Sequence, residues 1–75
     1  MQLGSELRRA REAAGLSQET LAFEANVHRT YVSLLELDKK SPTIDVLSRI
    51  CKALKVKPSE LLARVERRRS AGKSS

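Results

Sequence analysis

A chain of 75 residues with a formal net charge of +6 has room for one domain and no more. Its single cysteine, Cys51, excludes an intramolecular disulfide, and its single histidine, His28, lies too far from Cys51 for any metal-ligand spacing. No apolar run approaches the roughly 18–20 residues of a membrane span, and the opening "MQLGSELRRA" lacks the apolar segment of a signal peptide, so a cytoplasmic protein is expected.

In chain order, Leu3, Leu7, Ala10 and Ala14 recur at helical spacing with Arg and Glu between them. Gly15 stops this first helix, because glycine takes left-handed backbone without steric cost. Ser17 caps a second helix that buries Leu21, Ala22 and Ala25 and turns at Asn26. Val27 is the apolar residue of the turn, and His28 stands at the cap position of a third helix that buries Val32 and Leu35. "LDKKSP" reads as a loop closed by Pro42. Thr43 caps a fourth helix with Ile44, Leu47, Cys51 and Leu54 on one face. "VKP" breaks the chain again, and Pro58 opens a fifth helix that passes Leu61, Leu62 and Val65 and ends near Arg67. No repeat and no strand-like alternation is present. The expectation is a compact, all-α, five-helix domain over residues 1–66, followed by a disordered basic tail over 67–75.

The positive charge favours an anionic partner, nucleic acid foremost. Its distribution does not say where that partner would bind. Residues 1–40 carry six basic and six acidic groups, and residues 41–75 carry nine and three. Any binding face in the first half must therefore be argued from pattern. From Gln18 onward the pattern is specific. Small Ala22 lets two helices approach closely, Asn26 makes a sharp turn, and Val27, Val32 and Leu35 fix the third helix across the second. That is a helix-turn-helix arrangement.

The ordered elements "GLSQETLA", "ANV", "RTYVSLLE", "KKSPT" and "LKVKPSELL" resemble the phage repressor and Cro class of helix-turn-helix regulators, the Xre family, across residues 3–66. The resemblance implies a repressor-like fold with the motif on the second and third helices, and double-stranded DNA as partner. The chemistry of the third helix agrees. A major groove about 12 Å wide admits one helix whose first residues reach base edges. Arg29 can make two hydrogen bonds to one guanine, and Thr30 can meet a thymine methyl or a base edge. Ser33 and Leu34 lie one turn further along, while Tyr31 and His28 suit phosphate contacts, a packed rim or a cap. By the resemblance, Gln18 bonds a phosphate at the start of the second helix. Lys39 and Lys40 are placed in the following loop to grip the backbone. Arg11 and Glu36 match positions that relatives use for an ion pair between the first and third helices. The bland alternatives are solvated helix positions for Arg29 and Thr30, loop solubility for Lys39 and Lys40, and a small core residue for Cys51. The chain departs from the family at Leu37 and Asp38, where a typical member has Arg and Gly. It also departs at Phe23, Leu34, Leu37 and Val46, which are apolar at positions that are usually polar.

The function expected is a sequence-specific transcriptional regulator that binds an inverted repeat as a homodimer, since one helix reads only a few base pairs. The pairing surface is expected on the fourth and fifth helices, at Val46, Ile50, Leu62 and Val65. So small a chain leaves no room for a ligand pocket, so neither a small-molecule effector nor a cofactor is expected. Paired carboxylates, a nucleophile–base pair and a phosphate-cradling glycine loop are all missing, which argues against an enzyme. "SQETLAF" with "HRTYVS" tilts the resemblance toward the controller proteins of restriction–modification systems. The alternative is an antitoxin-like or adaptor protein that uses the same fold, and Phe23, Leu37 and Val46, to hold another protein.

Overall fold

Five helices follow one another in the computed structural model, which describes the backbone of residues 3–73 and the side chains as far as Arg67. They are α1 (Leu3–Ala13), α2 (Gln18–Ala25), α3 (Arg29–Glu36), α4 (Ile44–Leu54) and α5 (Pro58–Lys73). No strand occurs among the described residues, and no helix there is long and apolar enough to cross a membrane.

Four of the five helices stop in the same way. Gly15, Asn26, Asp38 and Lys55 take φ values of 73°, 58°, 58° and 61°. After each, the next N–H reaches back five positions. Leu16 bonds the Arg11 carbonyl at 3.1 Å, Val27 that of Ala22 at 2.9 Å, Lys39 that of Leu34 at 2.9 Å, and Val56 that of Cys51 at 3.0 Å. These bonds satisfy carbonyls that a helix end leaves without an internal partner. The starts are equally local. Ser17 Oγ accepts the Thr20 N–H at 3.0 Å, and Thr43 Oγ1 accepts that of Val46 at 3.2 Å. Pro58 stands at the first position of α5, where its missing N–H costs nothing.

The core takes Leu3, Leu7 and Ala10 from α1, Leu21, Ala22 and Ala25 from α2, and Val32 and Leu35 from α3. It is completed by Ile50, Cys51 and Leu54 of α4 with Leu61 and Val65 of α5. Each fully buried Leu or Ile contributes about 1.5–3 kcal/mol of apolar transfer energy. α2 is the hub and packs on both α3 and α4, while α1 packs on α3 and α5. The contact between α1 and α3 is a backbone contact. A Cβ added to Gly4 would stand 2.5 Å from the Glu36 carbonyl oxygen and 2.7 Å from that of Leu35. Gly4 also donates its N–H to Asp38 Oδ1 at 3.0 Å, which joins the start of α1 to the end of α3.

Several expectations need correction. Ala14 is exposed rather than on the buried stripe of α1. Ile44, at the first position of α4, is 84% exposed. The apolar face of α4 is Leu47, Ile50, Cys51 and Leu54, which follow the i, i+3, i+4, i+7 spacing of one helix face. Ile50 is therefore a core residue, 1% exposed, and not a free dimer surface. Val65 is buried too, one turn beyond Leu61 on the same side of α5. α5 continues to Lys73, past the helix end expected near Arg67. The apolar pattern ends at Val65, but the Glu, Arg and Ala residues beyond it are good helix formers and no proline interrupts them. The rest of the expected tail, with every side chain after Arg67, lies outside the described residues.

Candidate nucleic-acid interface

Three helices are tied together through the last residue of α3. Arg11 donates from Nε to Glu36 Oε2 at 2.6 Å and from Nη2 to Glu36 Oε1 at 3.2 Å. The pair is well covered, with the Arg11 side chain 11% exposed and that of Glu36 5% exposed. Hydrogen bonding to Glu36 raises the Arg11 pKa above its ordinary value, against the opposing pull of burial. Arg11 also donates from Nη1 to the Leu16 carbonyl at 2.8 Å. Glu36 Oε1 accepts a further bond, from Gln18 Nε2 at 3.0 Å. One carboxylate on α3 thus holds a residue of α1 and a residue of α2.

Gln18 lines a shallow open depression together with Arg29, Thr30 and Ser33. A second depression beside it is lined by Arg11, Ser17, Gln18, Glu19 and Arg29. Arg29 and Thr30 are exposed, and Ser33 is half-buried. Four of the residues proposed from sequence therefore share one surface. Leu34 is half-buried and does not line it. Tyr31 is half-buried and packs against the core, which fits the packed-rim alternative. His28 holds the cap position of α3 through its backbone, at φ −76° and ψ 145°, but its side chain makes no cap hydrogen bond. It is exposed, as are Lys39 and Lys40 in the loop after α3.

Among the described residues, the ion pairs engage Arg8, Arg11, Arg49 and Arg64, three of them with a carboxylate one turn away on their own helix. Exposed pairs of that kind contribute little to stability. Arg29, Lys39 and Lys40 belong to none of them. No group of side chains suited to a metal ion occurs among the described residues.

Sequence reasoning missed three features here. Gly4 was readable in principle, since a lone glycine inside a helical pattern often marks a close approach. The Asp38–Gly4 bond and the Gln18–Glu36 bond carried no local signal.

A helix-turn-helix family model matches residues 7–61. The control protein C.BamHI of Bacillus amyloliquefaciens is 42% identical over 60 residues, covering 79% of this chain and 74% of its own. Among solved structures, the restriction–modification controller protein C.AhdI of Aeromonas hydrophila superposes with a TM-score of 0.77 at 39% identity, over 79% of this chain and 89% of its own. The clp gene regulator ClgR of C. glutamicum superposes with a TM-score of 0.79 at 31% identity, over 81% and 78%. The chain belongs to the helix-turn-helix family and is a DNA-binding transcriptional regulator of that kind.

Proposed function

We propose that the protein is a controller of a restriction–modification system, which binds an inverted-repeat operator as a homodimer and places α3 in the major groove. The observation that carries the reading is the shared surface of Gln18, Arg29, Thr30 and Ser33 at the start of α3. Arg29 reads a guanine, Thr30 and Ser33 contact neighbouring base edges, and Leu34 offers apolar surface to a thymine methyl. Gln18 and His28 dock on phosphates and Tyr31 packs at the rim, with Lys39 and Lys40 gripping the backbone beyond. Similarity to C.BamHI and C.AhdI supports the controller assignment. In this reading the protein responds to its own concentration, because pairing assembles the two reading helices. Pairing uses Leu62, 45% exposed on α5, and the half-buried Val46 on α4.

The test is selection of bound DNA from a random pool, with binding repeated at several salt concentrations. An inverted repeat with half-sites about one DNA turn apart, roughly 34 Å, is the expected product. Failure to enrich any sequence sinks the reading. A second reading, an adaptor that holds another protein, draws on Phe23 at 83% exposure and on exposed Leu37. Co-purification with the product of a neighbouring gene, without enrichment of DNA, would favour it.

A further inference from the structure

We propose that Glu36 is a positioning residue for DNA docking and acts through Gln18; this rests on the DNA-binding reading above. Its carboxylate has more partners than an ion pair with Arg11 requires. Oε2 takes the Arg11 Nε–H, while Oε1 is shared between Arg11 Nη2 and Gln18 Nε2. Arg11 is itself anchored to the Leu16 carbonyl where α1 ends. A hydrogen-bonded relay therefore runs from the end of α1 through α3 to the first residue of α2, and it finishes in the depression lined by Arg29, Thr30 and Ser33.

The relay fixes which end of the Gln18 amide faces which way. An ionised carboxylate only accepts hydrogen bonds, so only the NH2 end of Gln18 can meet Glu36. The carbonyl oxygen and the second N–H are left for DNA. A free glutamine samples many rotamers, and ordering it at an interface weakens binding. Glu36 orders Gln18 before DNA arrives, and Arg11 neutralises the charge that would otherwise face a phosphate. Glu36 does this from the last turn of α3, with its side chain covered, so its influence on docking is indirect.

The experiment is a double-mutant cycle on affinity for the selected operator. It uses Gln18→Ala, Glu36→Gln and the pair, at a temperature where circular dichroism shows all of them folded. Gln18→Ala alone should weaken binding by about tenfold, but by less than about threefold when Glu36→Gln is already present. Effects that simply multiply would overturn the proposal, because they would show that Glu36 does not act through Gln18. Should Glu36→Gln fail to fold, nitrogen-15 relaxation of the Gln18 side-chain amide in the unmodified, DNA-free protein decides. Motion as restricted as the backbone supports the preset amide, and free rotation overturns it. A protein that enriches no DNA ends the docking role along with the function it serves, whereas the amide measurement still reports whether the relay holds Gln18.

Discussion

At the scale of single residues, the sharpest expectation concerns Arg29. It is exposed, in no ion pair among the described residues, and beside Gln18, Thr30 and Ser33. Arg29→Ala should weaken specific binding by about 1–3 kcal/mol and relax the preference at one base pair per half-site. Repeating the pool selection with the variant checks this, and an unchanged preferred sequence would remove Arg29 from the base-reading set. Lys39→Ala or Lys40→Ala should weaken all sequences alike and make the salt dependence shallower, because phosphate contacts release counterions whatever the bases. Gly4 calls for a different measurement. A methyl group there meets backbone oxygens that cannot rotate away. Gly4→Ala should lower the melting temperature by the equivalent of about 1–3 kcal/mol, the cost of overpacking. Residues whose chemistry acts within a few positions were legible in the sequence. Ser17, Thr43, Asn26 and Gly15 each declare a helix end through their own side chain or its absence. Gly4 with Asp38 and Gln18 with Glu36 were not, since those partners lie 34 and 18 positions apart.

The helix ends decide what happens at the scale of elements. Asp38 carries two tasks. It adopts the left-handed turn that ends α3, and its carboxylate caps the start of α1. Aspartate and asparagine tolerate that backbone better than other residues with a Cβ. Asp38→Asn should therefore leave stability nearly unchanged. Asp38→Gly keeps the turn and loses the cap, and Asp38→Ala loses both, by about 1–2 kcal/mol or more in total. Thermal melts should rank the three in that order, and a glycine variant as stable as the parent would show that the cap contributes nothing. Periodicity found all five helices but misassigned residues on three of them, Ala14 on α1, Ile44 on α4 and Val65 on α5. On α4 it chose Ile44 over Ile50, because both are apolar and 44, 47, 51 and 54 also lie within one helical stripe. Only the packing of α2 and α5 against α4 settles which isoleucine is covered. The end of α5 escaped for the opposite reason, since the chain stays helical after its apolar pattern has stopped.

For the whole molecule, assembly and stability can be separated by choosing the right apolar residue. Leu62→Glu puts a charge on an exposed position of α5 and should shift a dimer toward monomer while helical content survives. Ile50→Glu should instead unfold the chain, since it places a charge in the core. Sedimentation across a concentration series checks the first, and circular dichroism the second. A parent that stays monomeric at high concentration, yet binds one half-site tightly, would overturn the dimer. The fold was legible because a helix-turn-helix is written in consecutive residues. Of the four residues named for a pairing surface, Ile50 and Val65 are consumed by the core.

The single thiol has a practical consequence. Cys51 is fully covered, and burial pushes its pKa up, so in the native state it is both shielded and protonated. An alkylating reagent can reach it only in molecules that have opened. Labelling by mass spectrometry therefore counts openings in the unmodified protein, and added operator or higher protein concentration should slow the count in proportion to the binding each supplies. The same thiol makes the molecule sensitive to alkali. As pH rises past the ordinary thiol value of about 8.5, the unfolded chain ionises Cys51 more readily than the native chain, and the labelling rate should climb faster than thiolate chemistry alone allows.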